Sequence, residues 1–112
     1  MTDKVIVYTT CGNNSDADKL ARALVEQRLA ACVNVVDGAR SIYRWNEAVE
    51  QASEALLVIK TMAERYGELE AAIRERSTYE LPEIVAVPIA QGLADYLEWV
   101  RAATAGTKEI SG

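Results

Sequence analysis

An α+β fold, ordered βαββαβ with a further helix at the end, follows from three observations. Val5-Ile6-Val7-Tyr8-Thr9 and Leu56-Leu57-Val58-Ile59 are unbroken runs of strand formers, so those strands are apolar on both faces. Two segments with apolar residues at helical spacing follow the first and third strands. Asn46-Glu47 separates two long stretches of strand pattern, which predicts a hairpin.

The first strand, Val5 to Thr9, is closed by Gly12-Asn13-Asn14. Ser15 with Asp18 resembles a capping box with a short acid, and Ala17, Leu20, Ala21, Leu24 and Val25 make one stripe of a helix ending near Leu29-Ala30-Ala31. Cys32-Val33-Asn34-Val35-Val36 begins the second strand. Asp37-Gly38 predicts a bulge or kink, after which Arg40 to Trp45 resumes with Ser41, Tyr43 and Trp45 on one face. The third strand runs from about Val49 to Thr61, and at about 3.3 Å per residue each arm of the hairpin reaches about 40 Å, beyond the body of a domain this small. Met62, Tyr66, Leu69 and Ile73 mark a second helix, with Ala63 to Arg76 as its span and Ser77 to Leu81 as the loop after it. Pro82 introduces the fourth strand, Ile84 to Val87, and Pro88 assigns it to a sheet edge because proline cannot donate to the ladder. Leu93, Tyr96, Leu97 and Val100 line a last helix. Residues 1–104 are expected to form one domain, and 105–112 a frayed tail.

This order is that of the ferredoxin-like split βαβ fold, with an antiparallel sheet in strand order 4-1-3-2 and helices on one face. The opposite face is then apolar and uncovered, and another copy of the chain is its expected cover.

Composition narrows the function. The chain has 112 residues and a formal charge of −5, with no basic cluster, which is the wrong footprint for nucleic acid. No stretch approaches the roughly 18 apolar residues of a membrane span, and the first residues do not read as an export signal, so a cytoplasmic protein is expected. Cys11 and Cys32 are expected to stay reduced, with Cys32 in the core. Histidine is absent, which removes Ser-His-Asp and Cys-His catalysis and imidazole ligation within the chain.

Five strings in order carry a resemblance. They are Leu29-Ala30-Ala31-Cys32-Val33-Asn34, Ser41-Ile42-Tyr43-Arg44-Trp45, Glu54 with Leu57-Val58-Ile59-Lys60-Thr61, Tyr79-Glu80-Leu81-Pro82-Glu83-Ile84, and Gly92 with Tyr96-Leu97-Glu98-Trp99. Over residues 4 to 101 the sequence resembles the CutA family of divalent-cation-tolerance proteins. The resemblance implies a ferredoxin-like fold assembled as a homotrimer, a link to tolerance of copper and other divalent cations, and no clear enzymatic activity. The family's His-Pro-Tyr reads Ser77-Thr78-Tyr79 here, so the family's most plausible copper ligand is replaced by Ser77. The glycine usual after the hairpin tryptophan is also missing from Asn46-Glu47-Ala48, and Asn46 is expected to accept the positive φ instead.

Cys11 and Glu83 are the candidate ligands for copper or another divalent cation, one thiolate and one carboxylate. Tyr43, Trp45, Lys60 and Tyr79 are candidates for an inter-subunit cleft holding a small ligand, although aromatic residues there also serve subunit packing. The rival reading is a trimeric signalling module like the PII proteins, which share the fold and bind nucleotides between subunits. Their basic flexible loop contrasts with the acidic tip Asn46-Glu47-Ala48-Val49-Glu50. An acylphosphatase-like enzyme would need an arginine after the first strand, and Cys11-Gly12-Asn13-Asn14 supplies none.

Overall fold

The computed structural model describes residues 2–106, so of the expected tail only Ala105 and Gly106 fall within it and 107–112 lie outside the described residues. Strands β1 (Lys4–Cys11), β2 (Cys32–Trp45), β3 (Ala48–Met62) and β4 (Ile84–Pro88) alternate with helices α1 (Asn14–Glu26), α2 (Tyr66–Arg76) and α3 (Ala94–Ala103). The sheet order is β2-β3-β1-β4 with every pairing antiparallel, the order expected from the sequence read from the other edge. Pro88 indeed closes an edge strand.

The alternation of β1 and β3 sorts the sheet into two faces. Val7, Leu57 and Ile59 point to one side, where Ala17, Leu20 and Leu24 of α1 and Leu69 and Ile73 of α2 complete the core. Each large apolar side chain buried there contributes about 1.5–3 kcal/mol relative to exposure. On the other side stand Ile6, Tyr8, Leu56 and Val58, flanked on β4 by Val85 and Val87, which are 48% and 42% exposed.

Local chemistry moves two boundaries. The α1 cap is Asn13 rather than Ser15: Asn13 lies in extended backbone, its Oδ1 accepts from the Asp16 backbone N–H at 2.8 Å, and its Nδ2 donates to the Asp16 carboxylate at 3.0 Å. Asparagine caps as well as serine, so the helix starts two residues earlier. The helix also stops at Glu26, short of Leu29-Ala30-Ala31. Arg28 takes φ 60°, while the Leu29 N–H donates to the Leu24 carbonyl at 2.9 Å and the Arg28 N–H to Val25 at 3.1 Å, the paired bonds of a Schellman ending. That releases Leu29 to accept from the Thr61 hydroxyl at 2.8 Å.

The bulge falls where Asp37-Gly38 predicts it. Val36 pairs with Leu56 but Ala39 with Glu54, so β2 spends one extra residue there, with Gly38 at φ 75°. Because the extra residue flips the alternation, Ser41, Tyr43 and Trp45 share the open face with Cys32 and Asn34, although their sequence parities differ. At the tip Trp45 pairs with Ala48 across Asn46 and Glu47, with φ 50° and 65°, the two positive values of a type I′ turn.

Not all helices cover one face, as the sequence led us to expect. Val100 of α3 packs with Ala31 and Met62 in a cluster separate from the main core, and by strand alternation Met62 belongs to the open face. Arg101 pairs with Asp3 at 3.1 Å, and Arg65 donates to the Thr104 carbonyl at 2.7 Å, tying Asp3 and Thr104 to this corner. Of the four residues predicted to line this helix only Val100 is buried, and Leu93 is exposed.

Candidate functional site

Two concavities flank Tyr79, one on each side of the sheet. The first, of about 200 Å³, opens between β1, α1 and the end of α2, and includes Cys11, Lys19, Arg76 and Ser77. Cys11 lies on the core-facing side of β1, half-buried against the main core. Burial pushes its thiol up, and the negative charges of Asp16 and Glu54 push it further, so the neutral S–H is favoured over the thiolate.

The second is larger, about 990 Å³, and lies between the part of β2 after the bulge, the loop from Thr78 to Glu83 and the start of β4. Tyr43, Trp45, Tyr79 and Glu83 all line it, so four of the six predicted site residues come together within one chain. Tyr79 reaches across the end of β1, its hydroxyl 3.4 Å from where a Cβ on Gly12 would sit, and donates to Glu54 Oε2 at 2.5 Å. Burial would raise the Glu54 carboxyl, yet the hydroxyls of Ser41, Tyr79 and Thr10 around it hold it below its usual range. The Tyr79 phenol moves the opposite way: burial, then the bond to Glu54 and its charge, drive it far up. The result is a fixed carboxylate facing a neutral phenol.

The other predicted residues stand apart. Glu83 lines the large cleft whereas Cys11 lines the small one, so Tyr79 separates the two expected ligands. Lys60 pairs in the ladder with Cys32 and Ile6 and donates to the Asn34 side chain, six residues along β3 from Glu54, or about 20 Å. It does not line the large cleft. Cys32, expected in the core, is half-buried on the open face next to Tyr96, whose phenol is raised by burial and by that thiol.

Sequence reasoning passed over Glu54 as a site residue. The signal was a carboxylate inside the apolar run that leads from Ala52 to Ile59, sharing strand parity with Leu56 and Val58. Which side of the sheet it shares with Tyr43 depends on the bulge.

The profile of the family described as "CutA1 divalent ion tolerance protein" matches residues 5–103. The divalent-cation tolerance protein CutA of Thermus thermophilus is 45% identical over 96 residues, covering 86% of this chain and 93% of that protein. Human protein CutA is 43% identical over 97 residues, which cover 87% of this chain but 54% of the human protein. The chain thus spans about half the length of that relative. Among solved structures, CutA from Xylella fastidiosa superposes with a TM-score of 0.90 at 36% identity, covering 92% of this chain and 99% of that one.

Proposed function

The chain belongs to the CutA1 divalent ion tolerance family, and from that premise we propose that it works as a non-enzymatic homotrimer in the response to copper or other divalent cations. One observation carries the trimer. The open sheet face exposes Val85, Val87, Tyr43 and Trp45, an apolar surface that a second copy can cover, and three copies around an axis leave none exposed at an end. Sedimentation equilibrium at micromolar concentration tests this, with a trimer mass expected. A monodisperse monomer would overturn it. The same reading places the protein in the cytoplasm.

A tightly held ion does not fit the residues of one chain. Among the described residues no three Cys, Asp or Glu side chains converge, and Cys11 and Glu83 line different concavities. Cation contact at Cys11 or Glu83 is therefore weak, and titration of metal-stripped protein with copper(I) should show no stoichiometric plateau. A tight site unaffected by Cys11→Ser would show that other residues hold the ion.

The large cleft favours a second reading, a small-ligand sensor of the PII-like kind. Its support is the convergence of Tyr43, Trp45 and Tyr79 on one concavity with a fixed carboxylate at its base, the mixture of apolar walls and few polar anchors that small-molecule sites use. A thermal-shift survey across metals and nucleotides separates the readings, since a specific binder raises the melting point by mass action.

A further inference from the structure

We propose that the small pocket on the helix side of Tyr79 binds a tetrahedral oxyanion, inorganic phosphate or the phosphate of a monoester, between Lys19 of α1 and Arg76 of α2. The site is separate from the large cleft and from any bound cation. It lies among the helices, away from Val85, Val87, Tyr43 and Trp45, so a second copy seated on the open sheet face does not compete for it.

Charge comes first. The chain carries a net −5, yet this pocket is lined by two cations, Lys19 and Arg76, against one carboxylate, Asp16. Among the described residues neither cation makes an ion pair; the pairs found there use Lys4, Arg65 and Arg101. Asp16 is already engaged, its carboxylate accepting from Asn13 Nδ2 at 3.0 Å. A cation in the last turn of a helix complements the negative end of that helix, which accounts for Arg76. It does not account for Lys19, which borders the same space from another helix.

Hydroxyls complete the donor set. Ser77 Oγ accepts from the Tyr79 backbone N–H at 3.1 Å, and no described group accepts its own proton, so that O–H is left to donate. Thr78 adds a second hydroxyl beside it. The hydroxyls of Thr10 and Tyr79 border the pocket too, but they are committed to Glu54 on the other side. Free donors thus come from α1, from the end of α2 and from the loop after it, around the space rather than in one plane. That arrangement suits a tetrahedral oxyanion better than a planar carboxylate. At about 200 Å³ the pocket is smaller than the roughly 300 Å³ at which sites for larger ligands begin, which fits an ion or a single head group.

The assembled full-length protein is titrated with sodium phosphate, methyl phosphate and sodium acetate, with sodium chloride holding the ionic strength constant. The backbone amide signals of Leu20 and Thr78 are followed by NMR, with Gly67 at the far end of α2 as the reference. The expected result is a saturable shift with phosphate, weakened about tenfold by Arg76→Gln or by Lys19→Gln, as loss of one charged donor predicts. Both side chains are exposed, so neither substitution threatens the fold. Asp16→Asn removes the opposing charge and keeps an acceptor for Asn13, and should tighten the binding. Saturation by methyl phosphate as well assigns the site to the head of a phosphomonoester, and saturation by inorganic phosphate alone assigns it to the free ion; either supports the proposal. Phosphate that acts no differently from chloride overturns it, as does binding that survives the loss of both cations. Acetate that binds as tightly as phosphate overturns the tetrahedral assignment.

Discussion

The two concavities beside Tyr79 share Thr10, Thr78 and Tyr79 in their walls, yet they treat ionisable groups in opposite ways. On the core-facing side Cys11 is half-buried, and burial with the charges of Asp16 and Glu54 raises its thiol. On the open side Glu54 is also desolvated, but Ser41, Tyr79 and Thr10 turn hydroxyls toward it and the charged form prevails. Burial acts in the same direction on both acids. What reverses the direction of the shift at Glu54 is its hydroxyl donors, and that supply depends on the bulge at Gly38, which turns Ser41 to the Glu54 side.

The largest effect is expected from breaking the core-facing side. Leu57 is fully buried between β1, β2 and the helices, and Leu57→Ala should cost about 2–5 kcal/mol in urea unfolding. Val87 sits on the same sheet but on the open face, 42% exposed. Val87→Ala should change the stability of an isolated chain by less than about 1 kcal/mol, since its methyl groups reach solvent already. Its effect should appear in the subunit equilibrium measured by sedimentation. Equal losses of chain stability in the two variants would mean that the faces are not so different.

A smaller effect tests the donor set. Tyr79→Phe removes the hydrogen bond to Glu54 and should cost about 1.5 kcal/mol, the low end for a bond to a charged group because both side chains reach solvent. Its pH dependence has a definite sign. The Glu54 carboxyl is lowered from 4.5, so its contribution is present above that pH and is lost as pH falls through the lower folded value. The Tyr79 phenol is raised from 10.0, so its contribution is present below pH 10 and is lost as pH rises toward the higher folded value. The stability difference between wild type and Tyr79→Phe should therefore be flat through the neutral range and shrink at both ends. A difference that grows in acid would place the proton elsewhere.

The fold was legible because its signals are local and mutually consistent: unbroken apolar runs for β1 and β3, helical spacing around Leu20-Leu24 and Leu69-Ile73, and prolines that make β4 an edge. The cleft was legible only in part. Tyr43, Trp45, Tyr79 and Glu83 could be named from their strings, but Glu54 joins them through a register that one extra residue sets, and alternation along a single strand does not reveal which side of the sheet it faces. Cys11 and Glu83 were joined because the end of β1 and the loop before β4 share a sheet edge. They do share that edge, but the ring of Tyr79 stands between the two sides of it. Side-chain direction decided this, and chain order does not carry it. The same holds for α3, whose spacing shows that Val100 is buried without showing that it packs with Met62 on the far face.

The smallest expected effect tests whether the two concavities sense each other. Glu54 on the open side is one of the charges that raise the Cys11 thiol on the core-facing side, after burial and Asp16. In a Cys32→Ser background, leaving Cys11 as the only thiol, the rate of alkylation by iodoacetamide should rise with a midpoint above the ordinary thiol value of 9.0. Glu54→Gln removes the through-sheet charge while keeping an acceptor for Tyr79, so the midpoint should move down, toward the ordinary value. Asp16→Asn should move it down further, because Asp16 lines the same small pocket as Cys11 and its charge acts on the thiol more strongly than that of Glu54. If Glu54→Gln leaves the midpoint in place while Asp16→Asn lowers it, the sheet and the Tyr79 ring insulate one side from the other. Tyr79 would then be a wall in the electrostatic sense as well as the steric one.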